Sequence, residues 1–157
     1  DIPKLQTFLP YTNFKKSAES LDMKRLGKQR VECLQLLNSI KADKEGKDYR
    51  GWKNHPARDM WYLPGKHDYS NALVDYGIAV CEAWRERGYK DTCLEKISAH
   101  YESESPDKLP NWLGREDIHE SHRSMLIKKK PDYYKEKFEN TKEGLEYIWP
   151  TRDEQSA

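Results

Sequence analysis

The sequence predicts an all-α fold: one compact helical domain with two long helices, several short helices and long irregular loops. Two stretches, residues 21–40 and 70–87, repeat apolar side chains at three- and four-residue spacing, the pattern of a helix that buries one face. Each is bracketed by helix punctuation, Asp22 near the start of the first and Gly88 after the end of the second. No stretch alternates β-branched and polar residues in the manner of a half-buried strand. With 157 residues and no internal repeat, the chain fits a single domain over residues 1–157.

Taken in order, residues 1–13 hold Pro3 and Pro10 and read as an extended opening segment whose Phe8, Leu9 and Tyr11 pack on the domain. The first long helix covers Leu21 to Ile40, with Leu26, Leu34, Leu37 and Ile40 on its apolar stripe and Asp22 as its cap. Residues 41–51, polar and with two glycines, form a loop leading to Trp52 and His55-Pro56; a residue before proline sits outside a helix interior. A short helix follows over Ala57 to Tyr62, and Pro64-Gly65 breaks the chain. The second long helix, Ser70 to Arg87, carries Ala72, Leu73, Tyr76, Val80, Ala83 and Trp84 and forms the spine of the core. Short helices are expected over Thr92 to His100, Ile118 to Lys129, which Pro131 stops, and Tyr133 to Phe138. Ser103 to Gly114 is a surface loop, and an irregular tail holds Tyr147 and Trp149.

Composition narrows the function classes. Charged residues make up 35% and hydrophobic ones 36%, so the core is economical and the surface densely ionic. The longest apolar runs, such as Gly77 to Cys81, are too short for a bilayer, and no signal-like segment opens the chain, so a cytoplasmic protein is expected, nucleoid-associated only when it acts on DNA. Cys33, Cys81 and Cys93 are odd in number and widely spaced, which suits buried thiols rather than disulfides or zinc ligands. His119 and His122 are the one close histidine pair, with no partner at a recognised ligand spacing, so neither a metal nor another cofactor is expected.

The net charge is +1, but its distribution is uneven. Lys24, Arg25, Lys28 and Arg30 crowd the first long helix around one acid, Glu32, and Lys128, Lys129 and Lys130 form a second basic cluster. Arg25, Lys28 and Glu32 are three and four residues apart and share a side of the helix. Cations of this kind hold a phosphate backbone while the acid performs proton chemistry between the phosphates, which points to DNA. Glu32 also has a plainer reading, as the partner of Lys28 or Gln35 on a solvated face. His55 reads equally as a backbone-bonded loop histidine or as an active-site polar group. Trp61 and Trp84 belong in the core, whereas Trp52, beside Lys53 and His55, is the candidate for stacking on an exposed base. His122, Arg123 and the Lys128 cluster make a second candidate phosphate-binding edge.

The segments Leu21-Asp22 to Glu32, Gly51-Trp52-Lys53-Asn54-His55-Pro56, Ala79 to Tyr89, and Ser121-His122-Arg123 through Tyr133-Tyr134 occur in the order that resembles the pyrimidine-dimer DNA glycosylase, or endonuclease V-like, family. Gln6-Thr7-Phe8-Leu9-Pro10-Tyr11 resembles the opening of a bacterial branch of it. The resemblance implies a small all-helical enzyme that cuts the glycosidic bond of a cyclobutane pyrimidine dimer in duplex DNA and then breaks the strand as an AP lyase. It implies Glu32 as the helix glutamate and an N-terminal α-amine as the attacking group, here that of Asp1. Because Asp1 to Leu5 precede the branch's usual opening, three nucleophiles stay open: the Asp1 amine, Lys4, and water activated by Glu32. Two other functions stay open with them, a glycosylase for another modified base without lyase activity and a non-catalytic DNA- or RNA-binding module. A monomer is expected.

Overall fold

The computed structural model describes residues 6–47 and 55–150. Among them the elements run α1 (Phe14–Ser20), α2 (Met23–Lys44), α3 (Pro56–Asp59), β1 (Tyr62–Leu63), β2 (His67–Asp68), α4 (Ser70–Glu86), α5 (Leu94–Ser98), α6 (Glu116–Lys129) and α7 (Pro131–Lys137). The fold is all-α apart from the β1–β2 hairpin, in which Tyr62 pairs with Asp68 and Leu63 with His67.

Helix α2 starts where the sequence places it, with the Asp22 carboxylate accepting from the Arg25 N–H at 3.4 Å. Its buried residues, Leu26, Gln29, Cys33, Leu36, Leu37 and Ile40, follow the helical repeat and pack against α4. It runs one turn beyond Ile40 into the expected loop. Ala42 is still buried there, and Asp43 accepts from the buried Arg58 guanidinium at 2.6 Å, which ties the extra turn to α3. Helix α1 was not expected; Asn13 caps it by accepting from the Lys16 N–H at 2.8 Å, and it lies against α4.

Helix α4 is the spine. At Gly77 a side-chain Cβ would stand 2.9 Å from Ile97 Cγ2 and 3.4 Å from Cys33 Cβ, so glycine permits α2, α4 and α5 to meet. Gly88, at φ +89°, takes the left-handed conformation just past the helix end. The expected short helix over 57–62 stops at Asp59, because the chain turns at Pro64-Gly65 into the hairpin. Pro131 both ends α6 and opens α7, a position where its missing N–H costs nothing.

The core is aromatic at its centre. Trp61 meets Trp112 edge-on at 5.2 Å and stacks on Tyr76 at 6.3 Å. Trp84 departs from expectation: it is half-buried at the margin, between the Arg30 guanidinium at 4.6 Å and the Tyr89 ring at 4.4 Å, where its long indole shields an ion pair. The three cysteines are buried free thiols. Residues 6–10 form an extended strap joined by hydrogen bonds to α2, α4 and α6, with Phe8 and Leu9 buried and Tyr11 half-buried. Among the described residues no helix is long and apolar enough to cross a membrane.

Candidate functional site

Glu32 sits on the third turn of α2, its side chain 13% exposed. Oε1 accepts from Gln29 Nε2 at 3.2 Å and lies 3.9 Å from the Arg25 guanidinium. Burial raises the carboxyl from its ordinary 4.5 to about 7, although the charges of Arg25, Lys28 and Lys129 pull the other way. A carboxyl that titrates near neutrality holds or releases a proton with equal ease, which suits general acid–base chemistry at physiological pH.

A cavity of about 360 Å³ opens between the first turns of α2 and the end of α6; Glu32 does not line it but lies 3.9 Å from Arg25, which does. Lys24, Arg25 and Lys28 line one wall and Lys129 and Lys130 the other, with Leu126, Tyr134 and one acid, Asp22, completing it. Five of the seven cations in the two basic clusters of the sequence thus meet at one cavity. The junction is made at Asp22, whose N–H donates to the Tyr134 hydroxyl at 2.8 Å while that hydroxyl donates to its carboxylate, and Lys130 lies 3.8 Å from the same group. Five cations converging around one acid form a surface that concentrates polyanions.

Other expected site residues lie elsewhere. Arg30 is two positions from Lys28, nearly opposite on the helix, and pairs with the buried Asp91 at 2.6 Å; it belongs to packing. Burial alone would raise Asp91, but Arg30, the N–H groups of Cys93 and Leu94, and Arg85 bring it to about 2. His122 is fully buried and cannot meet a phosphate: its Nδ1 accepts from the Leu9 N–H at 3.0 Å, and burial, with His119 and Arg123 nearby, lowers it to about 3. Arg123 donates to the Pro10 carbonyl at 2.6 Å and pairs with Glu116, which turns it to the strap. Lys128 lines a separate cavity with Lys135 and Glu143. His55 caps α3, its Nδ1 accepting from the Ala57 N–H at 3.0 Å. Asp1, Lys4, Trp52 and Lys53 lie outside the described residues.

Two features escaped the sequence reading. His119 and His122 clamp Leu9 from both sides. Gly114 N–H donates to His119 Nε2 at 2.9 Å, so its Nδ1 carries the proton and donates to the Leu9 carbonyl at 2.8 Å. Gln29, fully buried, joins Glu32 to the strap. Its signal was present: a polar residue between Leu26 and Cys33 on the buried stripe is a buried polar group in search of partners. No cluster of metal-ligating side chains occurs among the described residues.

A family model described as pyrimidine dimer DNA glycosylase matches residues 5–96. The chain belongs to that family. The matched region contains Glu32, Gln29 and the α2 wall of the cavity, whereas Lys129, Lys130 and Tyr134 lie beyond it. No curated protein and no solved structure gives a significant match. Membership makes DNA the substrate of this glycosylase family.

Proposed function

We propose that the protein is a DNA-repair N-glycosylase acting on damaged pyrimidines, cyclobutane dimers foremost, with Glu32 as its acid–base residue and the five-cation cavity as its phosphate-holding surface. The observation that carries this reading is a desolvated carboxyl poised at about 7 within the field of Arg25, Lys28 and Lys129, three of the cations that line the cavity, in a chain of the pyrimidine dimer DNA glycosylase family.

The chemistry follows from that placement. As the C1′–N bond lengthens, its electron pair departs with the pyrimidine and positive charge grows on the sugar; an ionised Glu32 stabilises that charge. A nucleophile then bonds to C1′. If it is an amine, the proton it loses on bonding to C1′ passes to the ionised Glu32, which then delivers it to O4′ as the sugar ring opens and the Schiff base forms. Return of a C2′ proton to a base then expels the 3′ phosphate. Lys24, Lys28, Lys129 and Lys130 hold the flanking phosphates throughout.

The test uses a duplex with one cyclobutane dimer. Glu32→Gln should bind it normally and lose cleavage of the dimer's glycosidic bond, read as the abasic site formed or as free base after photoreversal of the dimer, by about 100-fold or more, the range for a positioned acid–base group. Borohydride trapping separates the finer alternatives. A trapped adduct on the wild type establishes the lyase step, and peptide mapping assigns it to an N-terminal amine or to Lys4. Base release without an adduct makes water the nucleophile. Release only from another modified pyrimidine reassigns the substrate, and binding with no release on any duplex leaves a DNA- or RNA-binding module.

A further inference from the structure

We infer that Gln29 is a positioning residue of the reaction, its side-chain amide locking the Glu32 carboxyl and residues 6–8 of the strap into one hydrogen-bonded frame. This rests on the acid–base role proposed for Glu32.

Three of the amide's four hydrogen-bonding positions are filled by directed bonds. Oε1 accepts from the Phe8 N–H at 2.6 Å, and Nε2 donates to the Gln6 carbonyl at 2.8 Å and to Glu32 Oε1 at 3.2 Å, while the Tyr76 hydroxyl lies 3.2 Å from Oε1 but spends its single proton on the Phe8 carbonyl. The orientation is forced, because a backbone N–H only donates and a carbonyl only accepts, so the nitrogen must face Gln6 and Glu32. A flipped amide would break both backbone bonds.

Two consequences follow for Glu32. Its Oε1 already accepts from Gln29, which leaves Oε2 the better placed of the two oxygens to carry and transfer the proton. The strap is also registered to the acid. Phe8, held through its N–H by Gln29, places its ring 5.0 Å beneath the Arg25 guanidinium, and the Tyr76 hydroxyl donates to the Phe8 carbonyl. Displacement of the strap would therefore move the amide, Arg25 and the carboxyl together.

The groups facing Glu32 come from several elements: Arg25, Lys28 and Cys33 on α2, Tyr76 on α4, Lys129 on α6 and Tyr147 from the tail. The cations act through charge alone. Gln29 is the neutral donor in the set, and its bond favours the ionised carboxylate.

Gln29→Met keeps the length of the side chain and removes the amide. The expected result is a kcat for base release reduced about tenfold with KM within twofold, and a Glu32 titration midpoint, followed by carboxyl carbon NMR, raised by about one pH unit through loss of the donor. A folded Gln29→Met protein with the wild-type midpoint and rate overturns the inference, since a purely structural amide would leave both unmoved. If Gln29→Met does not fold, the native protein decides. The Gln29 side-chain NH₂ resonances should shift with the Glu32 midpoint and lose that step in Glu32→Gln; resonances indifferent to pH overturn the coupling. Failure of the underlying reading is distinguishable, because it shows as an active Glu32→Gln enzyme.

Discussion

Replacing Glu32 by glutamine should make the protein more stable while disabling it, and the gain should depend on pH in a defined way. The carboxyl is held at about 7 in the fold against 4.5 in an exposed chain, with burial as the leading cause. A raised carboxyl means that the folded state retains a proton the unfolded state releases. Stability from this group is therefore complete below pH 4.5 and declines by about 1.4 kcal/mol for each pH unit up to about 7. Above that the ionised, desolvated carboxylate costs a constant amount, about 3 kcal/mol in all. Glutamine avoids this cost. It still accepts from Gln29, and Arg25 keeps its place over the Phe8 ring at 5.0 Å. Urea unfolding of wild type and Glu32→Gln from pH 4 to 8.5 should give curves that nearly coincide at pH 4 and separate by about 3 kcal/mol at pH 8. A constant offset across that range, or less than about 1 kcal/mol at pH 8, would refute the claim that Glu32 is desolvated and with it the physical basis of its acid–base role.

Three further outcomes are expected. Neutralising Lys28 and Lys129 together should lower the magnitude of the log–log salt slope of DNA binding by about two, whereas Lys128→Gln, on a different cavity, should leave it unchanged; equilibrium binding from 50 to 200 mM salt reads both. Arg30→Met should leave that slope intact but destabilise the fold by about 3 kcal/mol in chemical denaturation, because the buried Asp91 loses its nearest cation. His122→Leu strands the Leu9 N–H and should cost about 1–3 kcal/mol at pH 8. Since His122 is lowered to about 3, its contribution is complete above 6.5 and is lost as pH falls toward 3, so the variant should show a shallower acid-side decline than wild type in pH-dependent unfolding.

The long helices were legible because each carries its own evidence: apolar spacing, the Asp22 cap and the Gly88 stop are local properties of α2 and α4. Helix α1 was not, since Phe14–Ser20 contains only Phe14 and Ala18 as apolar positions and relies on α4 for its stability. The hairpin has two residues per strand, too few for alternation to show. Within the site, Arg25, Lys28 and Glu32 could be grouped from their spacing, while Arg30 is separated from them by helix geometry that adjacency conceals. His122 and Arg123 looked like surface cations because nothing near them in sequence reveals that the strap, more than a hundred residues earlier, needs their hydrogen bonds. The union of Lys24 and Lys28 with Lys129 and Lys130 is likewise a tertiary fact, written by the Asp22–Tyr134 contact.

That contact spans 112 residues, and the bonds from Leu9 and Pro10 to His122 and Arg123 span 113 each. Closing such long loops costs entropy before any contact repays it, whereas α2 and α4 lie close along the chain, so the ends of the molecule join a helical framework already assembled. The same closure brings Lys129 and Lys130 across to the lysines of α2, so the joined cavity and the burial of Glu32 are expected to arise together, late in refolding. In stopped-flow refolding, recovery of tight DNA binding and of the proposed glycosylase activity should therefore share one slow phase.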